Sequence, residues 1–193
     1  MLSKDVETVP AYKYGKQTRP IDLDVFRKAI EEPVERFRKR SHKSFLVFLY
    51  WFGVRRSEAL ERTPEDFLVK DGLLIVNAPA KKGGEREPLE VPVDYPYVHL
   101  IIERLNKTKH NQRLWSFSTV TAWKIVKRAM GKKYYPHFFR LNRATRFLDD
   151  SSTTLPQMKA WFGWRRSATV DAYIGYSRRH VKEMRAKLSQ ELE

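Results

Sequence analysis

Apolar residues recur every three or four positions along much of the chain, which is the spacing of amphipathic helices. The first such stretch begins at Ile21 or Leu23 and continues through Phe26 and Ile30. Because proline is tolerated in the first turn of a helix, Pro33 is predicted to begin a second helix that runs into the apolar sequence FLVFLYWF. Further helices are predicted at about 95–107, 118–130, 137–149 and 154–162, and in the tail at about 178–190.

Two short runs, GLLIVN at 72–77 and PLEVPV at 88–93, have the composition of β-strands. The lysine- and glycine-rich sequence APAKKGGERE lies between them and predicts a hairpin loop. Upstream, TPED at 63–66 offers a threonine cap, a proline at the first helical position and acids in the first turn, which predicts a helix start. Gly53 is predicted to be the left-handed C-cap of the apolar helix. The expected fold class is α+β, mainly α with a small antiparallel β-hairpin or sheet.

The length of 193 residues suits one domain with arms. Residues 1–20 are polar, contain two prolines and show no periodicity, so they are predicted to form an N-terminal arm or linker. Residues 21–177 contain the periodic segments and form the predicted main domain. Residues 178–193 form a predicted helical tail, in which a narrow apolar stripe consists of Val181, Met184 and Leu188.

The composition indicates a folded domain with a polyanionic partner. Hydrophobic residues make up 41% of the chain, enough to bury a core. Lysine and arginine total 38 against 23 acidic residues, and the resulting net charge of +15 favours nucleic acid as the partner. The chain has no cysteine, which excludes disulfides, thiolate zinc sites and cysteine nucleophiles. No apolar run approaches the roughly 20 residues of a membrane span, and no signal peptide is evident, so an intracellular protein without a membrane partner is expected.

Three polar clusters stand out against the predicted helices. GVRRSEAL at 53–60 contains Arg55 and Arg56 directly after the apolar helix. HFFRLNR at 137–143 places His137 and Arg140 three positions apart, and therefore on one helix face. GWRRSATVDAY at 163–173 combines arginines with an aromatic residue and a tyrosine. Each cluster alone is typical of an ordinary polar helix face.

In this order, with the lysines of the hairpin loop, the clusters resemble the catalytic domain of the tyrosine recombinases, the phage-integrase family. The resemblance extends from about residue 20 to about residue 180, and an archaeal or archaeal-virus integrase is the kind it suggests. GVRRSE is similar to the box with the family's first catalytic arginine, which implies that role for Arg55 and a supporting role for Glu58. HFFR is similar to the family's His-x-x-Arg motif and implies catalytic roles for His137 and Arg140.

The C-terminal cluster carries the rest of the resemblance. Trp164 follows FG where the family usually has a histidine, and the family's nucleophile follows that position by nine residues, which implies Tyr173 and not Tyr176. The resemblance also implies a hairpin lysine as general acid, and spacing does not decide between Lys81 and Lys82, although the K-x-G pattern common in integrases favours Lys81. The resemblance thus implies an enzyme that cleaves and rejoins DNA strands through a covalent 3′-phosphotyrosine, without metal, ATP or another cofactor.

The resemblance also implies partners and contacts. Double-stranded DNA at a recombination site is the expected substrate, and self-association into a dimeric or tetrameric synapse is expected, with the 178–193 tail docking on a neighbouring protomer. The expected location is the cytoplasm or nucleoid, of a host cell if the protein is viral. The residues predicted to contact DNA are Arg36, Lys39, Arg40, Lys43, Lys132, Lys133, Arg165 and Arg166.

Other readings of the sequence remain open. A type IB topoisomerase shares this fold and chemistry but relaxes supercoils without a second site, and a non-catalytic DNA-binding protein would also explain the charge. A metal nuclease is disfavoured, because the five histidines show no ligand spacing and Asp149 and Asp150 diverge on a helix. The chain is expected to be either a minimal recombinase or a catalytic domain from a longer one.

Overall fold

The computed structural model describes residues 21–32, 40–81, 85–150 and 152–165. Within these ranges the chain forms seven α-helices and three strands. The helices are α1 (Leu23–Glu31), α2 (Arg40–Phe52), α3 (Arg56–Leu60), α4 (His99–Asn106), α5 (Thr119–Met130), α6 (Pro136–Asp149) and α7 (Leu155–Phe162). The strands are β1 (Phe67–Lys70), β2 (Leu73–Val76) and β3 (Leu89–Pro92). The mainly helical fold class predicted from the sequence is confirmed.

Helix α2 lies at the centre of the core. Its residues are buried almost all round, as expected for a helix without a polar face, and it packs against both α4 and α6. Aromatic rings fill the space around it: Phe48 lies 4.8 Å from Phe52 and 4.9 Å from Trp115, measured between ring centroids. The core therefore fixes the C-terminal end of α2, where the predicted arginine cluster begins.

The sheet is larger than the predicted hairpin. Its three antiparallel strands have the order β1-β2-β3, with Phe67 opposite Val76 and Leu74 opposite Val91. The predicted helix start at TPED was wrong in extent, because one 3₁₀ turn at Pro64–Asp66 leads directly into β1. Asp71 and Gly72 then make a two-residue turn with positive φ angles of 52° and 75°, the backbone that joins two antiparallel strands with the least distortion.

The predicted helices at 118–130, 137–149 and 154–162 correspond to α5, α6 and α7, and the predicted helix at 95–107 corresponds to the shorter α4. The helix predicted from Ile21 or Leu23 is α1. The N-terminal arm, the helix start at Pro33 and the helical tail lie outside the described residues. In the described part of the chain, no helix combines the length and apolar composition that crossing a bilayer requires.

Gly53 is the left-handed C-cap that the sequence predicted, with a φ angle of 60°. A Cβ atom at this position would lie 2.7 Å from Cβ of Arg143 on α6. Glycine therefore allows α6 to approach the end of α2 closely, and it does so where the chain turns towards Arg55.

Candidate active site

Arg55 and Glu58 form the first part of the site, at the turn between α2 and α3. The Glu58 carboxylate accepts a hydrogen bond from the Arg55 backbone N–H at 2.9 Å and another from Arg55 Nη1 at 2.8 Å. The Glu58 side chain is fully buried, whereas the Arg55 side chain is 25% exposed. The buried Glu58 carboxylate thus fixes Arg55, whose side chain stays partly exposed to solvent.

Arg86, which the sequence analysis did not single out, completes the surroundings of Glu58. Its Nη1 donates to Glu58 Oε2 at 3.0 Å, and both side chains of this ion pair are 0% exposed. Burial alone would raise the pKa of Glu58, but the charge of Arg86 and the hydrogen bonds from Arg55 hold that pKa below its ordinary value. Glu58 is therefore a carboxylate at neutral pH, paired with two arginines.

Helix α6 supplies His137 and Arg140. Pro136 occupies the first turn of α6, where proline costs no hydrogen bond. His137 is the next residue and therefore lies at the N-terminal end of the helix. Arg140 is 1% exposed, and its guanidinium group donates to the Gly53 carbonyl at 3.3 Å and to the Phe162 carbonyl at 2.9 Å. Arg140 therefore joins the end of α2 to the end of α7.

Trp164 lies beside Arg140. Helix α7 ends in a left-handed glycine, Gly163, and the chain turns so that the Trp164 ring stacks on Phe162 at 4.5 Å. The Arg140 guanidinium carbon is 4.7 Å from the Phe162 ring centroid and 5.6 Å from that of Trp164. The two aromatic faces stabilise the Arg140 guanidinium group, which is weakly hydrated, and fix its plane.

The positive charges of Arg140 and Arg55 both act on the His137 ring. His137 is exposed, but the protein atoms around its ring reduce the hydration of the ring, and this is the first cause of its lowered pKa. The charges of Arg140 and Arg55 lower that pKa further, because they oppose protonation. Glu58 acts in the opposite direction and does not cancel these effects. The imidazole is therefore neutral at physiological pH and able to accept a proton.

The hairpin lysines are only partly described. The Lys81 backbone N–H points to Glu58 Oε1 at 3.4 Å, so the loop reaches the site, but the Lys81 ammonium group pairs with Glu61. Lys82 lies outside the described residues. The choice between the two lysines as general acid stays as open as the sequence left it.

The residues predicted to contact DNA do not form one uniform exposed face. Arg40 is exposed and lies 3.6 Å from Glu103, but Lys43 is buried and donates to the Glu32 carbonyl, with a pKa lowered chiefly by burial. Lys43 was predicted to contact DNA, but its burial does not suit that role, because α2 is buried on that side too. Lys132, Lys133 and Arg165 are exposed. Three of the predicted DNA contacts lie outside the described residues: Arg36, Lys39 and Arg166. The same holds for the two tyrosines considered as nucleophile, Tyr173 and Tyr176.

Among the described residues, no group of three or more histidine or acidic side chains is arranged to hold a metal ion. The positive charges around His137 instead suit an anionic ligand. Arg55 and Arg140 together offer planar, forked donors, which match the geometry of a phosphate group.

The burial of Arg86 was not predictable from local spacing. It lies in the charged sequence GERE, which is typical of a solvated loop. The available signal was Glu58. A carboxylate beside the core needs several hydrogen-bond donors to offset its lost hydration, and Arg55 alone provides too few of them. That argument predicts a further cation near Glu58 without identifying it.

Glu58→Gln is expected to lower the free energy of unfolding at pH 7 by about 3–5 kcal/mol, because it leaves Arg86 buried without its counterion. Since the folded-state pKa of Glu58 is lowered, the carboxylate stabilises the fold above its unfolded pKa of about 4.3 and loses this contribution as the pH falls. The stability gap between wild type and variant should therefore narrow from pH 7 to pH 3 in urea titrations.

The matched control is Glu61→Gln, since Glu61 is 39% exposed and pairs with Lys81 at the surface. This variant should lose less than about 1 kcal/mol. A stability gap for Glu58→Gln that stays constant with pH would contradict the assignment of Glu58 as a paired carboxylate.

The order of helices around a small antiparallel sheet is that of a tyrosine recombinase catalytic domain, and the chain has this fold. One similar structure is XerH site-specific recombinase bound to palindromic difH substrate in a post-cleavage complex. The TM-score is 0.70 at 16% identity, and the match covers 89% of this chain and 53% of the XerH chain.

Two further structures agree. XerA recombinase has a TM-score of 0.64 at 19% identity, with 90% of this chain and 66% of that chain covered. The Tn1549 transposon integrase in complex with circular intermediate DNA has a TM-score of 0.64 at 15% identity, with 91% and 66% covered. The chain thus spans about half the length of XerH. No protein-family model matches the sequence, and no curated protein sequence matches it.

Proposed function

We propose that the protein is a site-specific DNA recombinase or integrase that breaks and rejoins strands through a covalent 3′-phosphotyrosine. The observation that carries this proposal is the pair of arginines: Arg55 is held by Glu58, and Arg140 is held by the Phe162 carbonyl. Both lie in a fold that this chain shares with recombinases crystallised on DNA. His137 and Trp164 lie at the same cluster. A DNA-binding domain without catalysis has no need of this combination.

The chemistry requires an in-line attack on a phosphodiester. The phenolic oxygen of Tyr173 attacks phosphorus, the P–O5′ bond breaks, and the 5′-hydroxyl leaves with a proton from a hairpin lysine. Arg55 and Arg140 bind the two non-bridging oxygens, where charge builds in the transition state. His137, neutral at physiological pH, accepts the phenolic proton. Attack by another 5′-hydroxyl reverses the step, so neither ATP nor a metal is required.

Trp164 takes a different part from the histidine found in most of the family. Indole is a hydrogen-bond donor only, so it binds a phosphate oxygen but does not carry a proton. Its stacking on Phe162 also fixes the plane of Arg140. In this proposal Trp164 combines packing with one hydrogen bond, while His137 accepts the phenolic proton and the hairpin lysine supplies the proton of the leaving group.

A nicked duplex that loses its short 5′ fragment after cleavage tests the proposal, because the cut becomes irreversible and the covalent adduct accumulates. The adduct should form in EDTA, and strands should be exchanged when two sites are supplied. Relaxation of a supercoiled plasmid lacking any recombination site would instead indicate a type IB topoisomerase. DNA binding without any adduct would contradict both enzymes.

Binding to duplex DNA is expected to weaken by roughly 10²-fold when salt rises from about 50 to 200 mM, if about four cations contact phosphates. The exposed side chains that suit this role are Arg40, Lys132, Lys133 and Arg165. Replacing both Lys132 and Lys133 with alanine should lower the slope of log affinity against log salt by about two. Fluorescence anisotropy over a salt series measures this slope.

Lys70→Ala provides the control. Lys70 is an exposed cation at the β1–β2 turn, at the opposite end of the sheet from the loop that reaches Glu58. Its removal should leave the slope unchanged. An affinity that does not vary between low and physiological salt would contradict phosphate binding by these residues.

A further inference from the structure

Arg86 has an unusual set of contacts for a residue in a charged loop. Its side chain is 0% exposed, and its guanidinium group reaches three acceptors on three separate segments. Nη1 donates to Glu58 Oε2 at 3.0 Å and to the Ala78 carbonyl at 2.7 Å, and Nη2 donates to the Phe162 carbonyl at 3.1 Å. Burying an ion pair costs free energy that an apolar residue of similar volume would not, so stability alone does not account for it.

The acceptors of Arg86 are shared with the two arginines of the site. The Glu58 carboxylate accepts from Arg86 at one oxygen and from the Arg55 side chain at the other. The Phe162 carbonyl accepts from Arg86 at 3.1 Å and from Arg140 at 2.9 Å. A continuous series of hydrogen bonds therefore runs from Arg55 through Arg86 to Arg140, and links the α2–α3 turn to the end of α7.

We propose that Arg86 is a positioning residue that fixes Arg55 and Arg140 relative to each other, so that both guanidinium groups engage the same scissile phosphate. The inference rests on the proposed function. The Arg86 side chain is 0% exposed and its two terminal nitrogens donate to protein acceptors, so in this proposal it does not contact DNA. Its effect passes through geometry, because a displacement of about 1 Å at a reacting group costs about 10²-fold in rate.

Arg86→Lys tests the proposal. Lysine keeps the charge and reaches Glu58, but its single ammonium group does not span the carboxylate and the Phe162 carbonyl as the guanidinium fork does. Single-turnover cleavage of the nicked substrate at saturating DNA should fall by roughly 10²-fold, while the affinity for DNA stays within about two-fold. Urea titration at the assay temperature establishes that the variant is folded under the conditions of the cleavage assay.

Arg62→Lys is the matched control. Arg62 is also a buried arginine, 7% exposed, and it donates to the Glu58 backbone carbonyl and to the Asn77 carbonyl. It shares no acceptor with Arg55 or Arg140 among these bonds, so its replacement should lower stability without a comparable loss of cleavage rate. If Arg86→Lys does not fold, Arg86→Gln is used instead, since its amide still donates a hydrogen bond to Glu58, whose charge Arg55 continues to balance.

A double-mutant cycle separates positioning from a general structural role. If Arg86 acts by aligning Arg55 with Arg140, Arg86→Lys should lower the residual rate of Arg55→Ala by no more than about three-fold. Independent losses that multiply would overturn the proposal, as would wild-type cleavage by a folded Arg86 variant. Absence of any adduct with the wild-type protein would contradict the proposed function itself, which is a different result.

Discussion

Arg55→Ala is expected to lower the rate of strand cleavage by about 10³-fold, because one of the two forks that stabilise the phosphate in the transition state is lost. Affinity for uncleaved DNA should fall by less than about ten-fold, since the ground-state phosphate carries less charge to stabilise. Single-turnover cleavage of the nicked substrate gives the rate, and anisotropy gives the affinity. The larger effect on rate is the signature of an interaction made chiefly in the transition state.

Arg56→Ala is the control, as the neighbouring arginine on α3 donates to the Thr119 carbonyl, away from Glu58. It should cleave at close to the wild-type rate. Arg55→Lys should recover little activity, because a point charge does not make the bidentate contact. Near-normal cleavage by Arg55→Ala would remove the proposed phosphate-binding pair.

Arg55 is a better test of this pair than Arg140. The Arg55 side chain is partly exposed, and Glu58 keeps Arg86 as a partner when Arg55 is removed. Arg140 is buried and donates to two backbone carbonyls, so alanine there would leave both acceptors unsatisfied. Loss of activity in an Arg140→Ala variant would therefore combine catalysis with folding.

The sequence predicted the helices well where burial has a period. Helix α5 shows this period, since Ala122, Ile125, Val126 and Met130 are its buried positions, and its spacing alone locates it. Strand β1 was missed, because Leu68 and Val69 are both exposed and no alternation marks the run. The Asp71-Gly72 pair, a frequent hairpin turn, was the local signal that would have revealed the third strand.

The candidate site shows where spacing stops being informative. His137 and Arg140 share a side of α6 as predicted, but they differ in depth: His137 is exposed and Arg140 is 1% exposed. That difference depends on Phe162 and Trp164, which reach Arg140 from a distant part of the chain. The predicted DNA contact of Lys43 did not anticipate its burial for the same reason. That burial follows from how α2 packs against its neighbours and not from the helix face on which Lys43 lies.

The placement of the nucleophile still rests on register. Tyr173 and Tyr176 lie outside the described residues, whereas Trp164, from which the spacing is counted, lies against Arg140. A tyrosine of ordinary pKa, about 10, is a poor nucleophile at neutral pH. Nearby guanidinium groups favour the phenolate, so only a tyrosine that reaches Arg55 and Arg140 is expected to react.

Tyr173→Phe is therefore expected to fold and to bind DNA with unchanged affinity, but to form no covalent adduct on the nicked substrate. Phenylalanine keeps the ring and removes only the attacking oxygen, so packing is preserved while nucleophilic attack is lost. Tyr176→Phe is the matched control, three residues further along the sequence, and should still form the adduct. Gel separation detects the protein–DNA species, and mass spectrometry of its peptides identifies the linked residue. A link on Tyr176 would shift the C-terminal register by three residues and take Trp164 out of its assigned position. If the wild type cuts DNA and neither tyrosine carries the link, a water molecule or another side chain attacks phosphorus, and the recombinase mechanism fails.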